Sequence, residues 1–307
     1  MDPESPPHIG IVTGECVPQL TEDGQTVKRQ LSDRGYEVSG VVWSDTTVDW
    51  SSFEALVVRS CWEYYQRPEQ FQAWLDMVDS DVHAVINPVD VIKWNLHKSY
   101  LRELDTAGVA VTPTAYVKQG RNESLADICE RNNWEQVVVK PAIGTSSDGV
   151  WQATTPISEA ANERFRNAVA NTDVLVQQFV PDIANGELSM VFFTGEFSHA
   201  TRTIPDAGEF RAHHRFGAST NAVTPTETIR EIGKEILGAA SEIHGFDPAD
   251  LTYARVDGVT GDDSFVLLEL ELIEPYLRLS ASDGAVERFV DAIEQNLSTQ
   301  FNVTGNR

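Results

Sequence analysis

Strand-like and helix-like segments alternate over residues 9–86, and this alternation restricts the fold more than any other feature of the sequence. Helical composition marks 24–34 and 68–78, the second with Pro68 in its first turn, where the missing N–H is tolerated. The strand-like runs lie at 9–13, 36–43, 53–59 and 83–86. Strands separated by helices need crossover connections, which favour a parallel sheet covered by helices. The sequence therefore predicts an α/β fold that opens with a parallel α/β domain over residues 1–91.

The remainder of the chain mixes helices with strands that are close enough to pair as hairpins. A long helix is predicted at 92–107 and a flexible polar stretch at 206–224. Further helices are predicted at 125–131, 158–171, 226–244 and 284–297, and further strands at 136–140, 174–180, 188–193, 197–204, 252–257 and 265–273. This pattern predicts α+β lobes after the first domain.

The charge balance excludes several classes of partner. The 307 residues include 47 acidic and 23 basic side chains, for a formal net charge of −24. Nucleic-acid phosphates and anionic membrane surfaces would be repelled by such a chain. The acidic residues are dispersed, which suggests a protein kept soluble in high salt, so a halophilic source is one hypothesis and an ordinary acidic cytosolic protein is the other.

The sequence shows no pattern typical of a membrane span, a signal peptide, a disulfide framework or a zinc site. No apolar run approaches the ~18 residues that a membrane span needs, and the first residues lack a basic-then-apolar signal pattern. We therefore expect a cytoplasmic protein. Cys16, Cys61 and Cys129 are far apart and odd in number, which favours neither a disulfide framework nor a zinc site.

An acidic strand carries the first chemical signal. In Leu267-Leu-Glu-Leu-Glu-Leu-Ile-Glu-Pro275, Glu269 and Glu271 share one face because strand side chains alternate. Asp257, on the preceding strand, is expected near them, with Arg255 on its own face. Carboxylates brought together in this way are typical of a magnesium site. A solvated acidic face on an amphipathic strand is an equally good interpretation of this stretch alone.

Two lysines carry a second signal. Lys140 ends a Val-Val-Val run and precedes a loop from Gly144 to Gly149, whose backbone N–H groups and hydroxyls are suited to phosphate oxygens. Lys98 is predicted on the helix at 92–107. Alone, the first pattern is more typical of a simple hairpin, and the second of a solvated helix lysine.

A third signal lies where one lobe passes into the next. The run Gln178-Phe179-Val180 could present backbone groups to an adenine edge, and Glu187 could accept the hydroxyls of a ribose. The spacing alone does not require either contact.

Taken in order along the chain, these pieces resemble the ATP-grasp superfamily, and within it the glutathione-synthetase-like ligases. The resemblance covers roughly residues 87–280. The strand with Glu269 and Glu271, together with the stretches 59–64 and 208–211, is also similar to the cyclo-ligases that close O-ureido-serine to cycloserine. The resemblance to the ATP-grasp superfamily implies an ATP-grasp fold, with a small lobe at 92–179 and a C-terminal lobe carrying the metal site at 180–307.

The resemblance also implies roles for individual residues. Arg255 and Arg211 would stabilise the transferred phosphoryl group, and Asp257, Glu269 and Glu271 would hold one or two Mg²⁺ ions. Glutathione synthetases tend to have Asn at the position of Glu271, so Mn²⁺ is an alternative metal. The residues that would contact ATP are Lys98, Lys140, Gly144, Thr145, Ser146, Ser147, Gly149, Gln178, Phe179, Val180 and Glu187.

The substrate side is less defined by the sequence. Arg59, Trp62 and Tyr64 lie where the first domain would meet substrate, although both aromatics are as easily explained as core residues. His213, His214 and Arg215 are interpreted as a surface loop rather than a ligand pair.

The implied reaction is the activation of a small carboxylate by ATP as an acyl phosphate, followed by attack of an amine or another nitrogen, within one molecule or between two. A kinase acting on a hydroxyl and a nucleotide-binding protein without turnover remain alternatives. The oligomeric state stays open, a homodimer being one option.

Overall fold

The computed structural model describes residues 6–261 and 264–304. The described residues form three β-sheets with helices packed against them. The first five residues of the N-terminal segment lie outside this part of the chain. No described helix combines the length and the apolar composition that a membrane crossing requires.

The first sheet is parallel, as predicted. Its strands follow the order β2-β1-β3-β4, and its two helices are α1 (Glu22–Asp33) and α2 (Pro68–Asp81). The strands are β1 (His8–Thr13), β2 (Glu37–Val42), β3 (Ala55–Ser60) and β4 (Ala84–Ile86). Helix α1 begins where the Thr21 side chain accepts a hydrogen bond from the Gly24 N–H.

The single helix predicted at 92–107 is wrong, because the structure has two short helices. They are α3 (Val89–Leu96) and α4 (Tyr100–Thr106), with His97 extended between them. The Lys98 N–H donates to the Ala142 carbonyl at 2.8 Å instead of to the preceding helical turn. Lys98 therefore lies in the break, not on a helix.

The second sheet is antiparallel, in the order β5-β8-β6-β7. Helices α5 (Leu125–Asn132) and α6 (Glu159–Asn171) cover it. The strands are β5 (Thr114–Val117), β6 (Gln136–Pro141), β7 (Trp151–Thr154) and β8 (Val174–Gln178). The glycine-flanked loop connects β6 to β7, as predicted.

The third sheet is antiparallel, in the order β11-β10-β9-β12-β13. Its strands are β9 (Glu187–Phe193), β10 (Glu196–Ile204), β11 (Ser219–Val223), β12 (Ala254–Thr260) and β13 (Phe265–Glu271), and its helices are α7 (Glu227–His244) and α8 (Ala285–Thr304). The polar stretch predicted as flexible contains β11, since Ser219–Val223 pairs with the outer edge of β10.

The first and third sheets share one apolar core. Residues of β1 and β3 pack with Phe193 of β9, with Tyr253 and with Phe289 of α8. The Tyr253 hydroxyl, fully buried, lies 2.6 Å from the Val58 carbonyl of β3. This packing joins the N-terminal domain to the third sheet, at the central strand β9. The domain boundaries at 91/92 and 179/180 stay predictions.

Candidate functional site

A cleft of about 580 Å³ opens where the three sheets approach one another. Most of the residues singled out from the sequence line it, although they come from elements far apart in the chain. They are Trp62, Tyr64, Lys98, Lys140, Gly144, Thr145, Ser146, Ser147, Gln178, Phe179, Val180, Glu187, Arg211, Arg255, Asp257, Glu269 and Glu271. Gly149 and Arg59 do not line the cleft.

The carboxylates of β12 and β13 lie together on one face. Asp257 is opposite Glu269 in the strand register, and Arg255 is opposite Glu271. Asp257 also pairs with Ser189 of β9, which leaves it 2% exposed. The alternation of side chains along paired strands thus places three acids and one arginine at the same wall.

Basic side chains compensate these acids. The Arg255 Nε lies 3.0 Å from each Asp257 carboxylate oxygen, and its Nη2 donates to Glu271 at 2.6 Å. The Lys98 Nζ contacts Glu269 at 2.6 Å and donates to the Gly144 carbonyl at 2.7 Å. The acidic wall is therefore an ion-pair network, not a solvated acidic face.

Burial and mutual repulsion separate the protonation behaviour of these acids. Burial, with the neighbouring carboxylates, raises the pKa of Glu187 to about 8 and that of Glu271 to about 7. Burial also opposes ionisation of Glu269, but Lys98 and Lys140 outweigh it, so the pKa of Glu269 is lowered. A positive charge added nearby would favour ionisation of Glu187 and Glu271, the two carboxyl groups whose pKa is raised.

The carboxylates of this wall are suited to a hard cation, although in the structure they pair with the Arg255 and Lys98 side chains. Asp257, Glu269 and Glu271 offer the carboxylate oxygens that Mg²⁺ prefers. Within residues 6–261 and 264–304, no three His, Cys, Asp or Glu side chains are grouped as a metal site. Arg255 engages both oxygens of Asp257, so a bound metal would require this pairing to rearrange.

Lys140 is a buried cation of the same cleft. It is 8% exposed and forms no ion pair or side-chain hydrogen bond with a described residue. Burial lowers the pKa of its ammonium to about 8, although the Glu269 charge favours protonation. An ammonium in such surroundings is suited to an anionic ligand.

The loop beside Lys140 is strained and tethered. Ser146 and Ser147 have φ of 54° and 56°, a left-handed conformation that costs of order 1 kcal/mol or more for each non-glycine residue. The Thr145 hydroxyl donates to the Trp62 carbonyl at 2.6 Å, and the Tyr65 hydroxyl donates to Asp148 at 3.0 Å. The Thr145 hydroxyl, predicted to face phosphate, is thus engaged with the N-terminal domain.

The connection from β8 to β9 brings backbone groups to the cleft. The Gln178 N–H donates to the Pro113 carbonyl and the Phe179 N–H to the Gln136 carbonyl, both at 2.9 Å. The Val180 N–H has no partner among the described residues. Glu187 lines the same cleft as Val180. This arrangement has the backbone donor and the carboxylate that a nucleoside would use.

The aromatic residues of the N-terminal domain differ in position. Trp62 borders the cleft, whereas Tyr64 is 3% exposed and stacks on Phe71 at 4.9 Å, so it is a core residue that reaches the wall. The Arg59 guanidinium lies 5.0 Å from the centre of the Tyr253 ring. Because it is held there, the structure does not bring Arg59 to the cleft.

The loop between β10 and β11 covers one side of the cleft. Arg211 binds Glu209 with its Nε at 3.0 Å and its Nη2 at 2.6 Å, and its guanidinium lies 3.5 Å from the centre of the Phe216 ring. His213 and His214 also line the cleft, and His214 is exposed, so their interpretation as a surface loop rather than a ligand pair stays a prediction. Burial and the neighbouring His214 lower the pKa of His213 to about 4.

The segment that follows β13 was not identified from the sequence. In residues 272–278, here named the exit segment, six consecutive carbonyls each accept a side-chain hydrogen bond. The donors are Asn87 Nδ2 to Leu272 (2.9 Å), Tyr253 Oη to Ile273 (2.8 Å), Trp62 Nε1 to Glu274 (3.2 Å), Arg59 Nη2 to Pro275 (3.0 Å), Arg255 Nη1 to Tyr276 (3.0 Å) and His199 Nε2 to Leu277 (2.8 Å). Glu274, Tyr276 and Arg278 of this segment line the cleft.

Comparisons with known proteins agree with this architecture. Residues 9–87 match the family described as "D-cycloserine synthetase DcsG, N-terminal domain", and residues 105–245 match "Prokaryotic glutathione synthetase, ATP-grasp domain". The cycloserine biosynthesis protein DcsG of Streptomyces lavendulae is 34% identical over 266 residues, which are 83% of this chain and 87% of that protein.

Solved structures extend the likeness to the whole fold. The crystal structure of D-cycloserine synthetase DcsG superposes with a TM-score of 0.85 at 31% identity, covering 94% of this chain and 99% of that one. The ATP complex of D-alanine–D-alanine ligase from Bacillus anthracis gives a TM-score of 0.64 at 14% identity, covering 96% and 99%, which shows a shared fold. The predicted ATP-grasp fold is therefore confirmed, and the chain belongs to the ATP-grasp ligase family that includes the cycloserine biosynthesis protein DcsG.

Proposed function

We propose that this protein is an ATP- and Mg²⁺-dependent ligase that activates a small carboxylate as an acyl phosphate, which a nitrogen nucleophile then attacks. The observation that carries the proposal is the placement of Lys140. This buried cation forms no ion pair with a described residue and lines the same cleft as Asp257, Glu269 and Glu271. A phosphate chain needs cations along one side and, on the other, acids that can hold a metal.

The nucleotide would lie along the wall formed by the second and third sheets. The Val180 N–H would contact the adenine edge, beside Gln178 and Phe179, and Glu187 would accept the ribose hydroxyls. Lys98 and Lys140 would meet the phosphates. The loop residues Gly144, Thr145, Ser146, Ser147 and Gly149 would close over them, with backbone N–H groups as the main donors.

Asp257, Glu269 and Glu271 would hold the metal, which when bound neutralises phosphate charge and orients the phosphoryl group. The raised pKa of Glu271 supports this assignment, because an added cation offsets the repulsion among these acids. Mg²⁺ is our first choice and Mn²⁺ the second.

The protein's own contribution is positioning and the exclusion of water. Arg255 and Arg211 would stabilise charge on the transferred group, Arg255 from the sheet and Arg211 from the covering loop. An acyl phosphate is hydrolysed if water reaches it, so a loop over the cleft favours ligation. Phosphoryl transfer of this kind needs orientation and charge neutralisation more than a protein nucleophile.

Release of ADP tests the proposal. ADP and phosphate are measured with ATP, Mg²⁺ and a panel of small acids, each with and without amines, and including both enantiomers of O-ureido-serine. ADP formation that depends on an acid, and on either an added amine or a nitrogen in the same molecule, is the expected result. Phosphorylation of a hydroxyl would establish a kinase instead, and ATP binding without ADP across the panel would establish a non-catalytic nucleotide-binding protein.

We also propose that the dispersed acidic charge is an adaptation to high salt, and that the protein acts in the cytoplasm on small molecules. The first of these proposals is supported by the net charge of −24 and is tested by the salt dependence of stability.

A further inference from the structure

Four charged side chains of the cleft lack a charged or hydrogen-bonded partner among the described residues. Two of them, Lys140 and Glu187, are accounted for by the nucleotide. The other two, Glu274 and Arg278, belong to the exit segment and are not used in the nucleotide site proposed above. By contrast Lys98, Arg211 and Arg255 each have a carboxylate partner.

Glu274 is a buried acid that faces the cleft. It is 6% exposed and lines the cleft, yet its carboxyl group makes no hydrogen bond or ion pair within the described part of the chain. Its backbone carbonyl accepts a hydrogen bond from Trp62. A buried polar group without a partner is costly unless a ligand satisfies it.

Arg278 is the corresponding unpaired cation. Its guanidinium lies 5.2 Å from the centre of the Tyr276 ring, and none of the acidic side chains described in the structure pairs with it. In a chain with 47 acidic and 23 basic residues, an arginine without an acid is unexpected. Its φ of 49° is a left-handed conformation that arginine rarely adopts, and the adjoining carbonyl contacts hold it there.

The backbone that carries both residues is fixed in place. The six carbonyls of residues 272–277 are held by side chains of the N-terminal domain and the third sheet, and the Leu279 N–H donates to Asp23 at 2.9 Å. Groups presented on a rigid backbone bind a ligand with less loss of conformational freedom.

We propose that the exit segment recognises the second substrate, with Arg278 binding its carboxylate and Glu274 binding an amino or amide N–H group. The substrate class is a small carboxylic acid that also carries nitrogen. This inference rests on the proposed function, since it assigns the acid to the same cleft as ATP. The guanidinium fork is suited to a planar carboxylate, and the buried carboxyl group to an N–H donor.

Equilibrium binding tests the inference without turnover. The titration is followed by tryptophan fluorescence in the presence of a non-hydrolysable ATP analogue. Of the seven tryptophans, Trp62 borders the cleft, with its ring 6.1 Å from that of Tyr276. The probes are serine and O-ureido-serine, each as the acid, as the primary amide that lacks the carboxylate, and as the analogue with hydroxyl in place of the α-amino group.

In the wild type, at least one acid should bind about 10- to 100-fold more tightly than its amide, the range expected for one charge-assisted contact. Arg278→Met should remove this preference and Arg278→Lys should keep part of it. Glu274→Gln should weaken binding of the amino acid relative to its hydroxy analogue. Arg215→Met and Glu235→Gln, which change exposed residues outside the cleft lining, should leave both preferences unchanged.

Several results would overturn the inference. The first is a wild type that binds the ATP analogue but none of the acids. The second is an Arg278→Met variant that still prefers the acid to its amide. The third is a loss of affinity for the ATP analogue in that variant, which would place phosphate at Arg278. Neither the Glu274 nor the Arg278 side chain forms a hydrogen bond with a described residue, so the variants should not unfold at a lower temperature than the wild type. Acid binding without ADP formation would contradict the proposed function alone.

Discussion

Replacing Glu269 with glutamine should impair metal-dependent activity much more than it lowers the free energy of unfolding. The change keeps the shape of the side chain but removes the charge that pairs with Lys98 at 2.6 Å. Lys98 is largely buried and retains only the Gly144 carbonyl as a partner. Loss of one member of a buried ion pair costs about 3–5 kcal/mol. Because the Glu269 side chain is 29% exposed and its loss also relieves repulsion with Asp257, we expect about 1–2 kcal/mol.

The effect on activity should be much larger than the effect on stability. A bound metal supplies several kcal/mol of charge stabilisation, so loss of a ligand should lower Mg²⁺-dependent ADP formation by at least about 100-fold. The assays are ADP release across a Mg²⁺ titration, calorimetric binding of Mg²⁺ with an ATP analogue, and urea unfolding. Glu235→Gln, an exposed change on α7, removes the same charge and serves as the control.

A Glu269→Gln variant with wild-type activity and wild-type Mg²⁺ affinity would refute the metal assignment. A loss of activity accompanied by unfolding would show instead that the Lys98 pair is structural. The expected result is a folded protein with a weakened metal response.

Three further predictions follow from the site and the charge. With a pKa of about 8, the Lys140 ammonium is charged below this pH and neutral above it. The affinity of the wild type for ATP should therefore fall as the pH rises from about 7 to 9, whereas Lys140→Arg should keep its affinity. An ATP affinity of the wild type that does not change with pH would contradict this prediction. Thr145→Val removes the 2.6 Å hydrogen bond to the Trp62 carbonyl, which should raise the KM for both ATP and the acid by up to ~10-fold. A rise in the KM for ATP alone would instead favour a direct contact of the Thr145 hydroxyl with phosphate. The unfolding midpoint should be higher in molar salt than in low salt, because salt screens the repulsion of a −24 chain, and equal midpoints would exclude a salt adaptation.

Local patterns were sufficient for most of the strands and for the acidic wall. The period-two alternation of β13 and its short connection to β12 place Asp257, Glu269, Glu271 and Arg255 on one face, and the observed register confirms it. The equal alternative, an exposed acidic face, is wrong because Arg255 and Lys98 pair with these acids.

Long-range contacts explain what the sequence did not reveal. The break at Lys98 depends on the Ala142 carbonyl, and β11 forms because β10 offers an edge. The exit segment has no periodicity, since its conformation is set by donors up to 216 residues away. The partnerless state of Glu274 likewise depends on which side chains of distant elements reach it.

The exit segment also bears on the order in which the protein assembles. Three of its six carbonyl contacts come from Arg59, Trp62 and Asn87, separated from their acceptors by 216, 212 and 185 residues. Contacts between such distant parts of a chain close the largest loops, and their entropic cost delays them during folding. The acid-binding side of the cleft is therefore completed late, when the two ends of the chain have met, whereas β6 of the nucleotide wall pairs with β7 and β8, which lie closer to it in the sequence.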